Sequence, residues 1–356
     1  MAEHTYHEQM IIDNAAKLKL ILETLPRFCR DFFRGIEPTT SSRTRIAYAY
    51  DLGVFFEFLS KSNPALKNTP IPSIKISILD DIQPIDIEEY LDYLSYYISD
   101  GKEYINKANG KKRKLVSLRS FYSYYYRKQM IRTNPTEFVD VPKLNEKEIV
   151  KLDIDEVAML LDEVESGDSM TKRQKAYHSK TKVRDLALMT LLLGTGIRVS
   201  ECVGLDINDV DFVNDGIKIV RKGGNEVVIY FGDEIRVALL DYMEERKKLV
   251  PETGHENALF LSMQMKRLGV RSVENLVKKY SSSVTKLKKI TPHKLRSTYG
   301  TSLYRETGDI YLVADVLGHK DVNTTRKHYA AIEDNRRRQA AKIVKLRAGN
   351  NWKIFI

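Results

Sequence analysis

The chain has 356 residues, which is long enough for two domains with sizeable cores, and its Lys and Arg outnumber its Asp and Glu by 58 to 48. The net charge of +10 favours a polyanionic partner. Cys29 and Cys202 have no metal-binding spacing, and the sequence contains no apolar run of membrane-spanning length and no signal-peptide layout at its amino terminus. These features argue against disulfide-rich secreted and membrane-spanning classes and predict an intracellular protein.

The first predicted helix covers about residues 14–33. Leu18, Ile21, Leu22 and Leu25 follow helical spacing, and Pro26 interrupts the pattern. The sequence therefore predicts a short helical extension over residues 1–35, ahead of the first domain.

A second helix is predicted to begin at the N-cap candidates of residues 39–42 and to run to about Ser60. Arg43 and Arg45 lie in its first turn, where the helix dipole favours acidic side chains. Cations placed against that preference are consistent with a nearby phosphate or with simple solvation. A proline-containing connector over residues 64–84 and a helix over residues 86–99 follow.

Residues 106–114 are predicted to form a basic loop that leads into a helix rich in aromatic residues. Seven Lys or Arg residues lie between Lys102 and Arg119 against the single acid Glu103. Such a local surplus is typical of a surface that follows phosphates. The candidate DNA-binding residues of this part of the chain are Arg43, Arg45, Lys111, Lys112, Arg113, Lys114 and Arg119. For the five aromatic residues within 121–126, core packing is favoured over base stacking.

Residues 140–150 are predicted to be a linker, after which Asp153 and Glu156 form a capping box that opens a new helix. The apolar helix ending in Gly194-Thr195-Gly196 then presents Arg198, with Glu201 one turn later. Strands are predicted at residues 217–221 and 226–231, and the turn between them would place Lys222 at its tip.

Three carboxylates precede the first of these strands: Asp206, Asp209 and Asp211. They raise the possibility of a magnesium-dependent nuclease. A solvated turn is the favoured interpretation, because two arginines elsewhere in the chain can neutralise charge that nucleases neutralise with metal. We therefore predict no metal site.

The stretch from Thr291 to Tyr329 contains the densest chemistry. Pro292 suits a helix start, and His293 and Arg296 lie three positions apart, on one helix face. A guanidinium beside an imidazole can hold a phosphate oxygen, and a phenol such as Tyr329 can attack the phosphorus held there. His319 follows Leu317-Gly318. Each piece alone is typical of a solvated helix face or a helix C-cap, so only the ordered set is informative.

The ordered set resembles the tyrosine recombinase/integrase family. The matching residues are Arg198, Lys222, His293, Arg296, His319 and Tyr329, and the segments TPHKLRST and VLGHKDVNTT carry the match most closely. Within the family the chain is similar to the bacterial Xer recombinases, in particular the single-recombinase XerS type. Ser297 departs from the family pattern, which has a second histidine at that position.

The resemblance implies a mainly α fold. It consists of a helical, SAM-like core-binding domain (residues 36–139) and a larger, mainly helical catalytic domain (residues 151–356) with a small β-hairpin or sheet, closing around DNA as a C-shaped clamp. A helix at residues 335–346 is expected to dock into a neighbouring protomer. A homotetramer on two double-stranded DNA sites, a 3′-phosphotyrosine intermediate and a Holliday junction are expected, without a cofactor.

The resemblance also implies roles for individual residues. Arg198 and Arg296 would hold the phosphate, His293 and His319 would donate and accept hydrogen bonds, and Lys222 would protonate the departing oxygen. Tyr329 would be the nucleophile and Glu201 would orient an arginine.

The favoured cellular role is chromosome dimer resolution at cell division by a cytoplasmic, nucleoid-associated enzyme, with a cell-division DNA translocase as a further partner. An integrase or resolvase of a mobile element, a type IB topoisomerase and a DNA-binding regulator without catalysis stay open as alternatives.

Overall fold

The structure is a computed structural model, and it describes residues 4–143, 150–221, 224–319 and Val322. The chain forms two compact units, Met1–Lys147 and Glu148–Ile356. Helices dominate both, which confirms the predicted mainly α fold class. None of the helices in the described ranges is long and apolar enough to cross a bilayer.

Unit 1 contains six α-helices and one β-hairpin within its described residues. The helices are α1 (Tyr6–Glu23), α2 (Cys29–Gly35), α3 (Ser42–Ser62), α4 (Ile78–Asp81), α5 (Pro84–Tyr93) and α6 (Ala108–Arg127). The strands are β1 (Tyr97–Ser99) and β2 (Lys102–Tyr104). Short 3₁₀ helices connect them at Glu37–Thr39, Pro64–Leu66, Ile71–Ser73 and Pro135–Phe138.

The N-terminal helices share one hydrophobic core with the rest of unit 1. The chain breaks between α1 and α2 around Pro26, as predicted, but α1 begins earlier because Thr5 and Glu8 form a capping box. Phe32 is fully buried and its ring packs edge-on against Phe121 of α6, with ring centroids 5.2 Å apart. Residues of α1 and α2 therefore form part of the hydrophobic core of unit 1.

The aromatic run of α6 fills the same core. Phe121, Tyr122 and Tyr125 are fully buried, and the Tyr125 hydroxyl donates to the backbone carbonyl of Phe28 at 2.6 Å. Core packing is thus confirmed for these three, whereas Tyr126 is 47 % exposed.

The predicted helix over residues 86–99 ends earlier than expected, because a hairpin follows α5. Asp100 and Gly101 form its two-residue loop with φ values of 49° and 70°, and Ser99 pairs with Lys102. Two adjacent residues with positive φ are the signature of a tight primed hairpin turn, which Asp-Gly favours.

The predicted basic loop at residues 106–114 is also wrong, because α6 already begins at Ala108. Lysine and arginine are good helix formers, and no proline interrupts this run. The basic side chains of this run therefore point in different directions around a helix.

Lys114 lies on the inner face of this helix, where its side chain is only 7 % exposed. Its ammonium lies 3.5 Å from the carboxylate of Asp51 on α3, and Arg113 donates to the same carboxylate. Burial raises the pKa of Asp51 and lowers the pKa of Lys114. The group is a charge cluster that joins α3 to α6, with a buried Asp51–Lys114 pair and a half-exposed Arg113.

We expect the substitution Asp51→Ala to destabilise unit 1 by about 3 kcal/mol, because it leaves the Lys114 ammonium buried without its carboxylate. Hydrogen exchange of the α3 and α6 amides in the intact chain should then be about a hundredfold faster. The control Arg34→Ala removes an exposed ion pair with Asp31 and should change exchange little. Equal exchange in both variants would show that the cluster does not stabilise the unit.

Unit 2 contains eight α-helices and a three-stranded antiparallel sheet within its described residues. The helices are α7 (Ile154–Ser166), α8 (Lys172–His178), α9 (Lys182–Thr195), α10 (Val199–Gly204), α11 (Asp233–Arg246), α12 (Val270–Val284), α13 (Pro292–Thr307) and α14 (Ile310–Leu317). The strands are β3 (Val210–Asp211), β4 (Gly216–Val220) and β5 (Glu226–Tyr230), in the order β3-β4-β5. A 3₁₀ helix at Ile207–Asp209 precedes β3.

Several sequence predictions for unit 2 are confirmed. Asp153 and Glu156 form the capping box of α7, and the Asp153 amide donates to the Glu156 carboxylate at 2.8 Å. Strands β4 and β5 pair in antiparallel register, with Ile217 opposite Ile229.

Helix α9 lies at the centre of unit 2 and contacts α7, α11 and α13. Its buried residues cover most of its circumference and include Asp185, whose carboxylate accepts from the Tyr280 hydroxyl at 2.7 Å and from Arg184 at 2.6 Å. Because other helices enclose α9, its carboxyl end is held in place. The segment that follows, which carries Arg198, therefore starts from a fixed position.

Candidate active site

The segment that carries Arg198 begins at the left-handed glycine that ends α9. Gly196 has φ 61°, and a Cβ there would lie 2.4 Å from the ring of Tyr299 on α13. Glycine is therefore required both by the backbone conformation and by the close approach of α13. The chain then turns through Ile197 into α10, with Arg198 as its N-cap residue.

Glu201 fixes the orientation of Arg198. Its buried carboxylate accepts from the Arg198 backbone amide at 2.7 Å and from the Arg198 guanidinium, also at 2.7 Å. A second guanidinium nitrogen of Arg198 donates to the backbone carbonyl of Gly318 at 3.2 Å. The Glu201 carboxylate thus holds one edge of the Arg198 guanidinium, and the Arg198 side chain is half-buried.

Arg296 comes from α13, which begins at Pro292 as the sequence predicts. Its side chain is buried, and Nη1 donates to the carbonyl of Gly196 at 2.6 Å. Nη2 donates to the carbonyl of Leu317. These two bonds involve neutral carbonyls, so they orient the guanidinium without cancelling its charge.

The two arginines therefore meet at one place, the carboxyl end of α14. Arg198 binds the carbonyl of Gly318 and Arg296 binds the carbonyl of Leu317, the preceding residue. Gly318 has φ 62° and ends the helix in a left-handed turn, and His319 donates its backbone amide to Ala314 at 2.9 Å. His319 thus follows directly on the turn that both guanidinium groups contact.

His293 lies one helical turn before Arg296 on α13, and it is exposed. Its backbone carbonyl accepts from the Ser297 hydroxyl at 3.0 Å, so the residue that departs from the family pattern bonds to the helix itself. Lys222 and Tyr329, the other two residues of the sequence hypothesis, lie outside the described residues.

A third arginine at the end of α14 was not identified from the sequence. Arg221, which follows β4, donates to the carbonyls of Asp315 at 3.1 Å and Val316 at 2.7 Å. The sequence offered only one signal for it, its position next to Lys222.

Other groups near these residues are poorly suited to nucleophilic chemistry. Burial raises the pKa of the Cys202 thiol, on the turn after Arg198, to about 12. Burial also raises the pKa of the Tyr299 hydroxyl. Both groups therefore stay protonated near neutral pH.

The three carboxylates before and in β3 have separate partners. Asp206 pairs with Arg267, Asp209 lies 4.0 Å from Lys218, and Asp211 accepts from the side chain of Asn214 at 2.7 Å. Within the described ranges no group of three or more His, Cys, Asp or Glu is arranged to hold a metal ion.

The predicted DNA-binding residues of unit 1 divide into two groups. Lys114 is buried against Asp51, Arg45 pairs with Glu37 at 3.2 Å, and Arg119 donates to the carbonyls of Thr136 and Val139. These three cations have structural partners. The others are less buried, although Arg113 also donates to Asp51 and Lys111 donates to the Ser95 hydroxyl at 2.7 Å. Arg43 and Arg113 are exposed, and Lys111 and Lys112 are half-buried.

Most of the chain is similar to known proteins. The model of the phage integrase family matches residues 151–336. Tyrosine recombinase XerC of Caldanaerobacter subterraneus subsp. tengcongensis is 35% identical over 306 residues, which cover 84% of this chain and 81% of the relative. Tyrosine recombinase XerD of Staphylococcus epidermidis is 31% identical over 83% of this chain and 90% of its own length.

Two solved structures show the same fold. A XerH site-specific recombinase in a post-cleavage complex with a palindromic difH substrate is 22% identical, with a TM-score of 0.61 over 85% of this chain and 79% of that one. The Tn1549 transposon integrase in complex with circular intermediate DNA is 22% identical, with a TM-score of 0.60 over 85% of this chain and 94% of that one. The chain therefore belongs to the phage integrase family, the family of the tyrosine recombinases.

Proposed function

We propose that this protein is a site-specific DNA recombinase that cuts and rejoins DNA through a 3′-phosphotyrosine intermediate. The observation that supports this most directly is the meeting of Arg198 and Arg296 on consecutive carbonyls, those of Gly318 and Leu317. Two guanidinium groups held this close together can each bind a non-bridging oxygen of one phosphate.

In the proposed reaction the Tyr329 hydroxyl attacks the phosphorus atom. A bond forms between the phenolic oxygen and phosphorus, and the bond from phosphorus to the 5′ oxygen breaks. The phenol has an ordinary pKa of about 10, so its proton must pass to a base, and His293 is proposed for that role. Lys222 supplies the proton that the departing 5′ oxygen takes up.

Arg198 and Arg296 stabilise the negative charge that grows on the non-bridging oxygens, and His319 donates a hydrogen bond to one of them. Glu201 does not react in this scheme; it holds the Arg198 guanidinium in place through the bond described above. Because the phosphotyrosine bond keeps the energy of the broken phosphodiester, the 5′ hydroxyl of a partner strand can reverse the reaction without ATP.

We further propose that four copies act on two DNA sites and exchange strands through a Holliday junction, in an Xer-like role in chromosome dimer resolution. The similarity to relatives named XerC and XerD supports this role over that of a mobile-element integrase. A cell-division DNA translocase as activator, a nucleoid location and docking of the residue 335–346 helix into a neighbouring protomer belong to the same proposal; that helix lies outside the described residues.

The test is intermolecular strand exchange. Sequencing of genomic DNA bound by the protein would identify its site, and two labelled duplexes that carry the site would then be mixed with it. Recombinant duplexes and a junction intermediate are expected. Relaxation of supercoiled DNA without any strand exchange would indicate a topoisomerase instead, and binding without a covalent adduct would indicate a regulator.

For unit 1 we propose a DNA-contacting surface formed by the four exposed or half-buried cations, Arg43, Lys111, Lys112 and Arg113. Three of them lie on the first turns of α6. Arg45, Lys114 and Arg119 would stabilise the fold beneath this surface through the partners given above.

We expect the double substitution Lys111→Gln/Lys112→Gln to weaken DNA binding on all sequences alike and to lower the salt slope of log K by about 2. The pair Lys67→Gln/Lys75→Gln is the matched control, since both lysines are exposed in the same unit and the charge change is identical. Binding measured by fluorescence anisotropy at several salt concentrations separates the two. Equal slopes in both variants would refute the proposed surface.

A further inference from the structure

Arg221 connects the β-hairpin of unit 2 to the end of α14. Its backbone closes the turn of the hairpin: its amide donates to the Asn225 carbonyl at 2.8 Å, and its carbonyl accepts from the Gly224 amide at 3.0 Å. Its guanidinium reaches about 95 residues along the chain to the carbonyls of Asp315 and Val316. Main chain and side chain are therefore anchored on two different elements.

The end of α14 is shaped to receive this guanidinium. A Cβ at Gly318 would lie 2.4 Å from Nη1 of Arg221 and 2.5 Å from its Cζ. The glycine thus serves two purposes, since it adopts the left-handed turn and leaves the space that the guanidinium occupies.

The Arg221 guanidinium is turned inward toward α14. Its Nε is buried, and Nη1 and Nη2 donate to the Asp315 and Val316 carbonyls. A surface arginine without such contacts would turn toward water.

The carboxyl end of α14 now has arginine donors on four successive carbonyls. Arg221 binds those of Asp315 and Val316, Arg296 binds that of Leu317, and Arg198 binds that of Gly318. Helix ends leave most of their last carbonyls without partners inside the helix, although that of Asp315 also accepts from the Gly318 amide, and cations there are favoured by the dipole. Arg296 and Arg198 are proposed to bind the phosphate, and Arg221 lies outside that proposed pair.

We propose that Arg221 is a positioning residue for the phosphate-binding site. It holds the last turn of α14, and with it the Leu317 and Gly318 carbonyls and the backbone of His319, at the point where Arg296 and Arg198 meet them. The proposal rests on the proposed function of this site and identifies a residue outside the set matched to the family.

The test compares Arg221→Met, which keeps the length of the side chain but removes its donors, with Arg221→Lys, which keeps one charged donor. Arg271→Met is the control, because Arg271 is exposed on α12 and pairs with Glu274. Single-turnover formation of the covalent adduct would be measured on a nicked duplex that carries the binding site. We expect Arg221→Met to cut at least about tenfold more slowly with DNA affinity within about threefold, and Arg221→Lys to recover part of the rate.

A second substrate separates positioning of the phosphate site from an effect on the neighbouring Lys222. A 5′-thiol leaving group departs without a proton donor, so it bypasses a defect that acts through Lys222. We expect the Arg221→Met defect to persist on this substrate. Full recovery of the rate, or a rate on the ordinary substrate equal to that of Arg271→Met, would overturn the proposal.

Hydrogen exchange provides a readout that does not depend on activity. The amides of Gly318 and His319 close the last turn of α14, bonding to Asp315 and Ala314. They should exchange at least about tenfold faster in Arg221→Met than in the wild type. Failure of the wild type to form the adduct would refute the proposed function. Unchanged exchange of these amides in Arg221→Met would refute the positioning role of Arg221.

Discussion

The substitution Tyr329→Phe is expected to abolish the covalent DNA adduct while leaving DNA affinity within about twofold of the wild type. Phenylalanine keeps the ring but lacks the oxygen that would form the bond to phosphorus, so no other route to the adduct remains. We expect a loss of at least about 1,000-fold in single-turnover cleavage.

The matched control is Tyr311→Phe, which removes a hydroxyl from an exposed tyrosine of α14. Cleavage by this variant should stay close to that of the wild type. Adduct formation would be followed by denaturing gel electrophoresis with a nicked substrate that traps the intermediate. If the adduct persists in Tyr329→Phe, another residue is the nucleophile.

The second large effect is expected for Arg296→Lys. The guanidinium of Arg296 spans two carbonyls that belong to different elements, those of Gly196 and Leu317. A lysine ammonium is a point charge without the planar fork, so it cannot serve both carbonyls and a phosphate oxygen. We expect cleavage to fall about 100- to 1,000-fold, the usual cost of removing one charge-stabilising donor.

This variant should also lose stability, because one buried carbonyl is left without its donor, at a cost of about 1–3 kcal/mol. Arg305→Lys, near the carboxyl end of the same helix and exposed, is the control. Thermal unfolding and DNA affinity measured beside the cleavage rate distinguish a folded, inactive enzyme from an unfolded one. Cleavage within about threefold of the wild type would remove Arg296 from the proposed phosphate site.

Local signals in the sequence predicted the elements that carry the site. Pro292 begins α13, Gly196 and Gly318 end α9 and α14, and the capping box at Asp153 opens α7. These predictions succeed because each depends on residues a few positions apart. The Asp100-Gly101 turn was an equally local signal, but the apolar residues before it were assigned to a longer helix.

Long-range partners could not be predicted. Lys114 was assigned to a DNA-binding loop because its neighbours in the chain are basic, but its carboxylate partner is Asp51, on a helix far earlier in the chain. The same limit applies to Arg221, whose acceptors lie about 95 residues later. A run of basic residues in a sequence predicts a charged surface. Only the fold shows which of those side chains are buried against a partner.

In the proposed reaction Arg198 and Arg296 bind one phosphate, and Tyr329 lies within reach of its phosphorus. The most direct measurement is a structure of Tyr329→Phe bound to its intact DNA site, in which the distances from the scissile phosphate to both guanidinium groups are read. We expect each guanidinium to lie within hydrogen-bonding distance of a non-bridging oxygen, with the substituted ring at position 329 beside the phosphorus. A phosphate that contacts neither arginine, or the two arginines bound to different phosphates, would contradict it.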